Sequence, residues 1–233
     1  MAYSSIPTNP LTLEALTTVS SDSLVPSQQP TPRGLMQQTD CYQQRFLKYP
    51  NIAICHSYAE FIYYLYLEMD PEVSSFVPQP FKLYIQGWRR PHIPDSYIVR
   101  KGQPQVVEIK APGDMDAPWL NAVAAYLQWH DLPYSVMCND VVLTHEQEAL
   151  NWLPLIQVLA AAEQEGIETQ TLEYELLDQI FTLDHPQVFD VLNPGLRLQQ
   201  NVNEIALFRL IYHHKVKVDL KSAPFGWDTA LWV

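Results

Sequence analysis

The sequence predicts an α/β fold, an α-β-β-β-α-β core followed by a mostly helical, winged-helix-like C-terminal domain. Three observations carry this. Between Cys41 and Asn139, one amphipathic segment precedes three short apolar stretches, then a second helical segment and a further strand. Beyond Thr144 the period changes to that of helices. The chain closes on two alternating stretches, KVKVDL and DTALWV, around the turn SAPFGW.

The expected boundaries are an N-terminal arm over 1–40, an α/β domain over 41–142 and the helical domain over 143–233. The arm is rich in Pro, Ser, Thr and Gln, as in SSDSLVPSQQPTPRG. Such a stretch has little apolar surface to offset the entropy of ordering. It reads as flexible, or as a tail that orders on a partner. HSYAEFIYYLYLEMD (56–70) reads as a helix, with Phe61, Leu65 and Glu68 or Met69 at helical spacing and Pro71 ending it. The strand candidates are PFKLYIQ (80–86), HIPDSYIVR (92–100) and QVVEIKA (105–111), the last two joined by a tight hairpin at Lys101-Gly102-Gln103-Pro104. A helix follows with Asp116 as N-cap and Pro118 in its first turn, then a strand at YSVMCN (134–139).

In the second domain, Thr144 and Gln147 suit a capping box for a helix that Pro154 should kink or split. TLEYELLDQIFTL (171–183) is amphipathic through Leu172, Leu176 and Ile180, and NVNEIALFRLIYHH (201–214) is the last helix. The two closing stretches would form an antiparallel wing.

Composition restricts the function classes. The chain has 233 residues, 47% of them hydrophobic, but no apolar run of about 18 residues that would span a bilayer. The N-terminus lacks the pattern of a secretory signal. Cys41, Cys55 and Cys138 are scattered, which suits reduced thiols in a cytoplasmic protein. The net charge of −12 disfavours unaided binding to nucleic acid.

Against that charge stands one constellation. Asp95 follows Pro94 on one expected strand, and Glu108 and Lys110 lie on the next. A strand's period of two puts Glu108 and Lys110 on one face. Their separation from Asp95 suits a hairpin that sets two carboxylates opposite each other, where a divalent cation relieves the repulsion. Singly, an E-x-K triplet is a common solvated face and an Asp after Pro a common turn. On consecutive apolar strands they make a site for phosphodiester hydrolysis. Asp95, Glu108 and the Ile109 carbonyl would bind Mg²⁺, with Mn²⁺ as a substitute, and Lys110 would position the water. Glu60 has two open roles: a third metal-site carboxylate, or a helix cap paired with Ser57 in Ser57-Tyr58-Ala59-Glu60.

At these residues the chain resembles the TnsA endonuclease family, within the PD-(D/E)XK restriction-endonuclease-like superfamily. The matching stretch runs from S-Y-A-E60 through P-Q-P-F at 78–81, P-D95 and E108-I-K110 to a helix ending in Tyr126-Leu-Gln. LFRLIYHHKVKVDL with DTALWV is similar to that family's winged-helix ending. The resemblance implies an active site of Glu60, Asp95, Glu108 and Lys110 that cuts double-stranded DNA at the 5′ strands of transposon ends. It also implies a DDE-type transposase partner and an AAA+ ATPase regulator contacting the C-terminal domain. Some members carry Gln at the third acidic position, where this chain has Glu108. A stand-alone restriction or repair nuclease and a non-cleaving adaptor are the alternatives.

Outside the motif, Lys82, Arg89, Arg90 and Arg100 could clamp phosphates or simply solvate a sheet edge. Lys215, Lys217 and Lys221 alternate along the expected wing. His213-His214 suit a helix C-terminus. The six tryptophans read as core or interface anchors rather than as base-stacking platforms.

Overall fold

The computed structural model describes residues 17–31, 40–115, 118–196 and 201–233. The chain is mixed α/β and divides into two compact units at His145/Glu146. Among the described residues, no helix is long and apolar enough to cross a membrane.

The first unit begins with strand β1 (Val19–Ser20), then an antiparallel pair, β2 (Tyr42–Arg45) and β3 (Ile52–Cys55). Helix α1 (Tyr58–Met69) follows, capped by the Ser57 side chain, which accepts from the Glu60 N–H. Most of α1 is buried, well beyond a single apolar stripe. Tyr64 stacks on Phe76 at 5.4 Å, and Phe46 meets Phe76 edge-on. The Glu68 carboxylate, buried in the same helix, accepts the Leu47 and Lys48 N–H groups.

The main sheet contains β4 (Val73–Pro78), β6 (Ser96–Arg100), β7 (Gln103–Lys110) and β8 (Tyr134–Cys138), in that spatial order. The first three are antiparallel neighbours, and β8 runs parallel to β7. Helix α2 (Pro118–Trp129) supplies the crossover that a parallel pair requires. Strand β7 carries four consecutive buried residues, Val106 to Ile109, as a central strand covered on both faces does. The β6–β7 hairpin turns through Lys101 (φ 50°) and Gly102 (φ 73°) alone, the paired left-handed geometry of a two-residue turn. The short helix α3 (Asn139–Leu143) ends the unit.

Two expectations need correction here. The first strand of the sheet is Val73–Pro78, not 80–86. A bulge between Val73 and Ser75 breaks the alternation that would have marked it. Gln79, at φ 40°, and Pro80 then turn the chain out of the sheet, so β5 (Tyr84–Ile85) pairs instead with β1. Residues 17–31, expected within a flexible arm, lie against this unit. Val19 is buried with Phe81, Leu83, Ile85, Val106 and Leu127, and Ser27 and Gln29 donate backbone hydrogen bonds to the Pro80 and Gln79 carbonyls. The arm's other stretches, 1–16 and 32–39, and the Asp116 cap lie outside the described residues. Val19→Ala should lower unfolding stability by about 1–3 kcal/mol through the lost burial. A denaturant titration checks this, and an unchanged midpoint would mean that the β1 segment adds nothing to the core.

The second unit contains α4 (Glu146–Gln164), α5 (Gln170–Thr182), α6 (Val188–Val191) and α7 (Asn201–Tyr212). Helix α4 runs unbroken through Pro154, contrary to the expected kink or split. Pro154 is exposed there, where water can meet the unpaired backbone. Thr144 donates to the Val141 carbonyl, ending α3 rather than forming a capping box with Gln147. The expected wing reduces to one reciprocal bridge, Lys217 with Trp232, while Ala230 bridges to Gln187. The Asp219 carboxylate accepts the Lys221 and Ser222 N–H groups and turns the first stretch aside before a longer ladder can form.

Candidate active site

The β6–β7 register fixes the central geometry. Ser96 pairs with Val107, so one further step places Asp95 opposite Glu108. Directly opposed residues of an antiparallel pair share a face. The Asp95 carboxylate accepts the Ile109 N–H at 2.6 Å. The Ile109 carbonyl lies on the same edge of β7 as its N–H and so opens toward Asp95. The Asp95 backbone is held as well: its carbonyl accepts from the Tyr64 hydroxyl at 2.5 Å and from the Gln79 N–H at 2.9 Å.

Glu108 is 1% exposed and carries two partners. Lys110 Nζ binds its Oε1, and His92 Nε2 lies 3.2 Å from its Oε2. Burial by itself raises the Glu108 carboxyl pKa, but the His92 and Lys110 interactions outweigh it and the net shift is downward. Lys110 shows the mirror effect. Burial disfavours its ammonium, yet the Glu108 and Asp95 carboxylates raise its pKa overall. Lys110 also sits 5.4 Å from the centre of the Trp119 ring.

Of the two roles left open by the sequence, the contacts of Glu60 show the helix cap. Its Oε1 accepts from the Ser57 hydroxyl, and its Oε2 accepts the His56 N–H at 3.0 Å and the Gln79 amide at 2.8 Å. It therefore closes the start of α1. Its charge is also felt at Asp95. Burial raises the Glu60 pKa, with Glu108 adding to the effect. Burial likewise pushes Asp95 well above the usual carboxylate range, reinforced by Glu108 and Glu60.

All four predicted side chains thus belong to one electrostatic cluster on α1, β7 and the residue preceding β6. Three carboxylates share one ammonium, and the two not bound to it hold their protons more tightly than free carboxylates. Burial is the main cause for both, and the neighbouring carboxylates add to it. The Asp95 and Glu108 carboxylates and the Ile109 carbonyl are oxygens of the hard kind that magnesium prefers. In this conformation Glu108 and Glu60 are turned to protein donors. Among the described residues, no group of three or more His, Cys, Asp or Glu side chains is set to enclose a metal ion.

Two residues of the cluster escaped the sequence reading. His92 gives no local signal, because its partner Glu108 lies on another strand. Gln79 is 3% exposed and touches both sides of the site, its amide on Glu60 and its N–H on the Asp95 carbonyl. Its own Oε1 accepts from Gln28 of the N-terminal segment. The second unit holds none of the predicted site residues. Among known proteins, no family model matches the chain, and no curated protein matches it with significance.

Proposed function

We propose that this chain is a magnesium-dependent DNA endonuclease with a restriction-endonuclease-like core and a winged-helix-like C-terminal domain. We further propose that it acts in the cytoplasm as a TnsA-type subunit of a heteromeric transposase, cutting the 5′ strands at transposon ends. One observation carries the nuclease reading: Asp95 and Glu108 oppose each other across neighbouring strands, with Lys110 bound to Glu108. In this reading Asp95, Glu108 and the Ile109 carbonyl hold the metal, and Glu60 holds it or its water. When bound, magnesium supplies Lewis-acid stabilisation of the phosphoryl oxygens and a more acidic water.

The chain's own residues account for the remaining steps. Glu108 is held between His92 and Lys110, one on each oxygen, and holding a metal would require it to release one of them. Lys110 keeps its proton, because the surrounding carboxylates raise its pKa, and so it serves as a donor and not as a base. On engaging substrate it would direct its N–H bonds to the attacking water or to a non-bridging phosphate oxygen, where negative charge grows. Tyr64 and Gln79 hold the Asp95 main chain in place during this step.

The net charge of −12 favours delivery to DNA by a partner, the DDE-type transposase, with an AAA+ ATPase regulator at the C-terminal domain. The test is a cleavage assay on a duplex bearing a transposon end, with magnesium or EDTA, and with and without the transposase. Strand cleavage should need magnesium and the transposase, and should vanish in Lys110→Ala. Cutting by the isolated chain would favour a stand-alone nuclease. Cutting that survives Lys110→Ala would remove the proposed site, and no cutting in any combination would leave an adaptor.

A further inference from the structure

We propose that Trp88 and Trp119 form a stacking face for an unpaired nucleobase beside the cleaved phosphate, with Arg89 and Arg90 meeting the adjoining backbone; this rests on the nuclease reading. The turn after β5 is sharp. Gly87 adopts φ +85°, and the Trp88 N–H donates to the Ile85 carbonyl. The result lifts Trp88 to 47% exposure, beside the exposed Arg89 and Arg90. The ring is not isolated. Trp88 meets Trp119 edge-on at 5.4 Å, and Trp119 meets His92 at 4.6 Å.

These aromatics connect directly to the candidate chemistry. His92 is the partner of Glu108, and Trp119 lies beneath the Lys110 ammonium. Two contacts, each 5.4 Å, link Trp88 to Lys110. An exposed indole followed by two exposed arginines suits a base and its phosphates better than an apolar peptide. In intact duplex the base faces are occupied by their neighbours, so only an unpaired or extruded base can use this surface. The substrate class is therefore DNA distorted or unpaired close to the cut.

The experiment uses the full chain in EDTA, which separates binding from cleavage. Its probes are a twelve-residue oligothymidine, a duplex with one unpaired 2-aminopurine, and the same duplex fully paired. Wild type should bind the first two and quench the 2-aminopurine fluorescence. Trp88→Ala should weaken both by about tenfold and abolish the quenching, while Trp88→Phe retains most of the affinity. Affinity for the paired duplex should not change. The idea is overturned if wild type ignores the unpaired base, or if Trp88→Ala binds all three probes as wild type does. Cleavage by wild type in magnesium, with the transposase added, is scored separately. Cutting with no Trp88 dependence in binding would sink the stacking face alone. Trp88-dependent binding with no cutting would sink the nuclease reading alone.

Discussion

Asp95→Asn is expected to fold more stably than the parent chain at neutral pH and to lose DNA cleavage by about a thousandfold or more. Both effects follow from one side chain. Asparagine keeps an oxygen for the Ile109 N–H and deletes a charge that burial, Glu108 and Glu60 all disfavour. Because those influences raise the Asp95 pKa, the folded state holds its proton to higher pH than the unfolded chain does. The stability tied to this group is complete below the unfolded carboxyl value of about 3.9 and is lost as pH rises through the folded value. Asparagine has no such loss. In EDTA the variant should therefore gain about 1–2 kcal/mol at pH 7.5, a gain that fades toward pH 4. Magnesium should raise the melting temperature of wild type, by binding the native state alone, and leave the variant nearly unmoved. Denaturation curves at the two pH values and a melting titration with magnesium check these points. A variant less stable than wild type at pH 7.5, or one that still cuts within tenfold, contradicts the account.

The parts of this arrangement legible in the sequence are those set by local rules. The hairpin was legible as a turn over Lys101–Pro104, but it closes through Lys101-Gly102 alone, with Gln103 and Pro104 already in β7, and that shorter turn sets the register that brings Asp95 to Glu108. The period of two then sets Lys110 beside Glu108. Long-range pairings left no such mark. Val19 is one apolar residue in a polar stretch, and nothing nearby says that it is buried with Phe81 and Leu127. Val73–Pro78 is hidden by two central serines and a bulge. His92 meets Glu108 only because the chain between Leu83 and His92 closes on itself through a reciprocal backbone pair. The closing hairpin failed for the opposite reason. Its alternation is genuine, but the Asp219 turn, which depends on one side chain, overrides it. The Glu60 cap is only half visible locally: Ser57 is three residues away, but the Gln79 amide reaches it from far along the chain.

Gln79 is where the N-terminal segment, α1 and the site join, and its removal should show in both activity and stability. Its amide nitrogen donates to Glu60, its amide oxygen accepts from Gln28, and Gln28 in turn donates to the Ile54 carbonyl. Gln79→Ala leaves the buried Glu60 Oε2 and the half-buried Gln28 Nε2 each without one partner. That should cost about 1–3 kcal/mol. With Glu60 less firmly oriented, cleavage should fall by about 10- to 100-fold, the usual scale for a group that positions a metal-site residue. The backbone adds a second, separable quantity. Gln79 sits at φ 40°, a left-handed conformation that disfavours any residue with a Cβ. Glycine deletes the same amide but tolerates that geometry. Gln79→Gly should therefore be more stable than Gln79→Ala by about 1 kcal/mol, while the two lose cleavage equally. Equal activity loss with unequal stability assigns the catalytic effect to the amide and the strain to the main chain. If cleavage instead tracks stability across the pair, or Gln79→Ala cuts as wild type does, Gln79 is only a structural pivot and Glu60 is held by α1 alone.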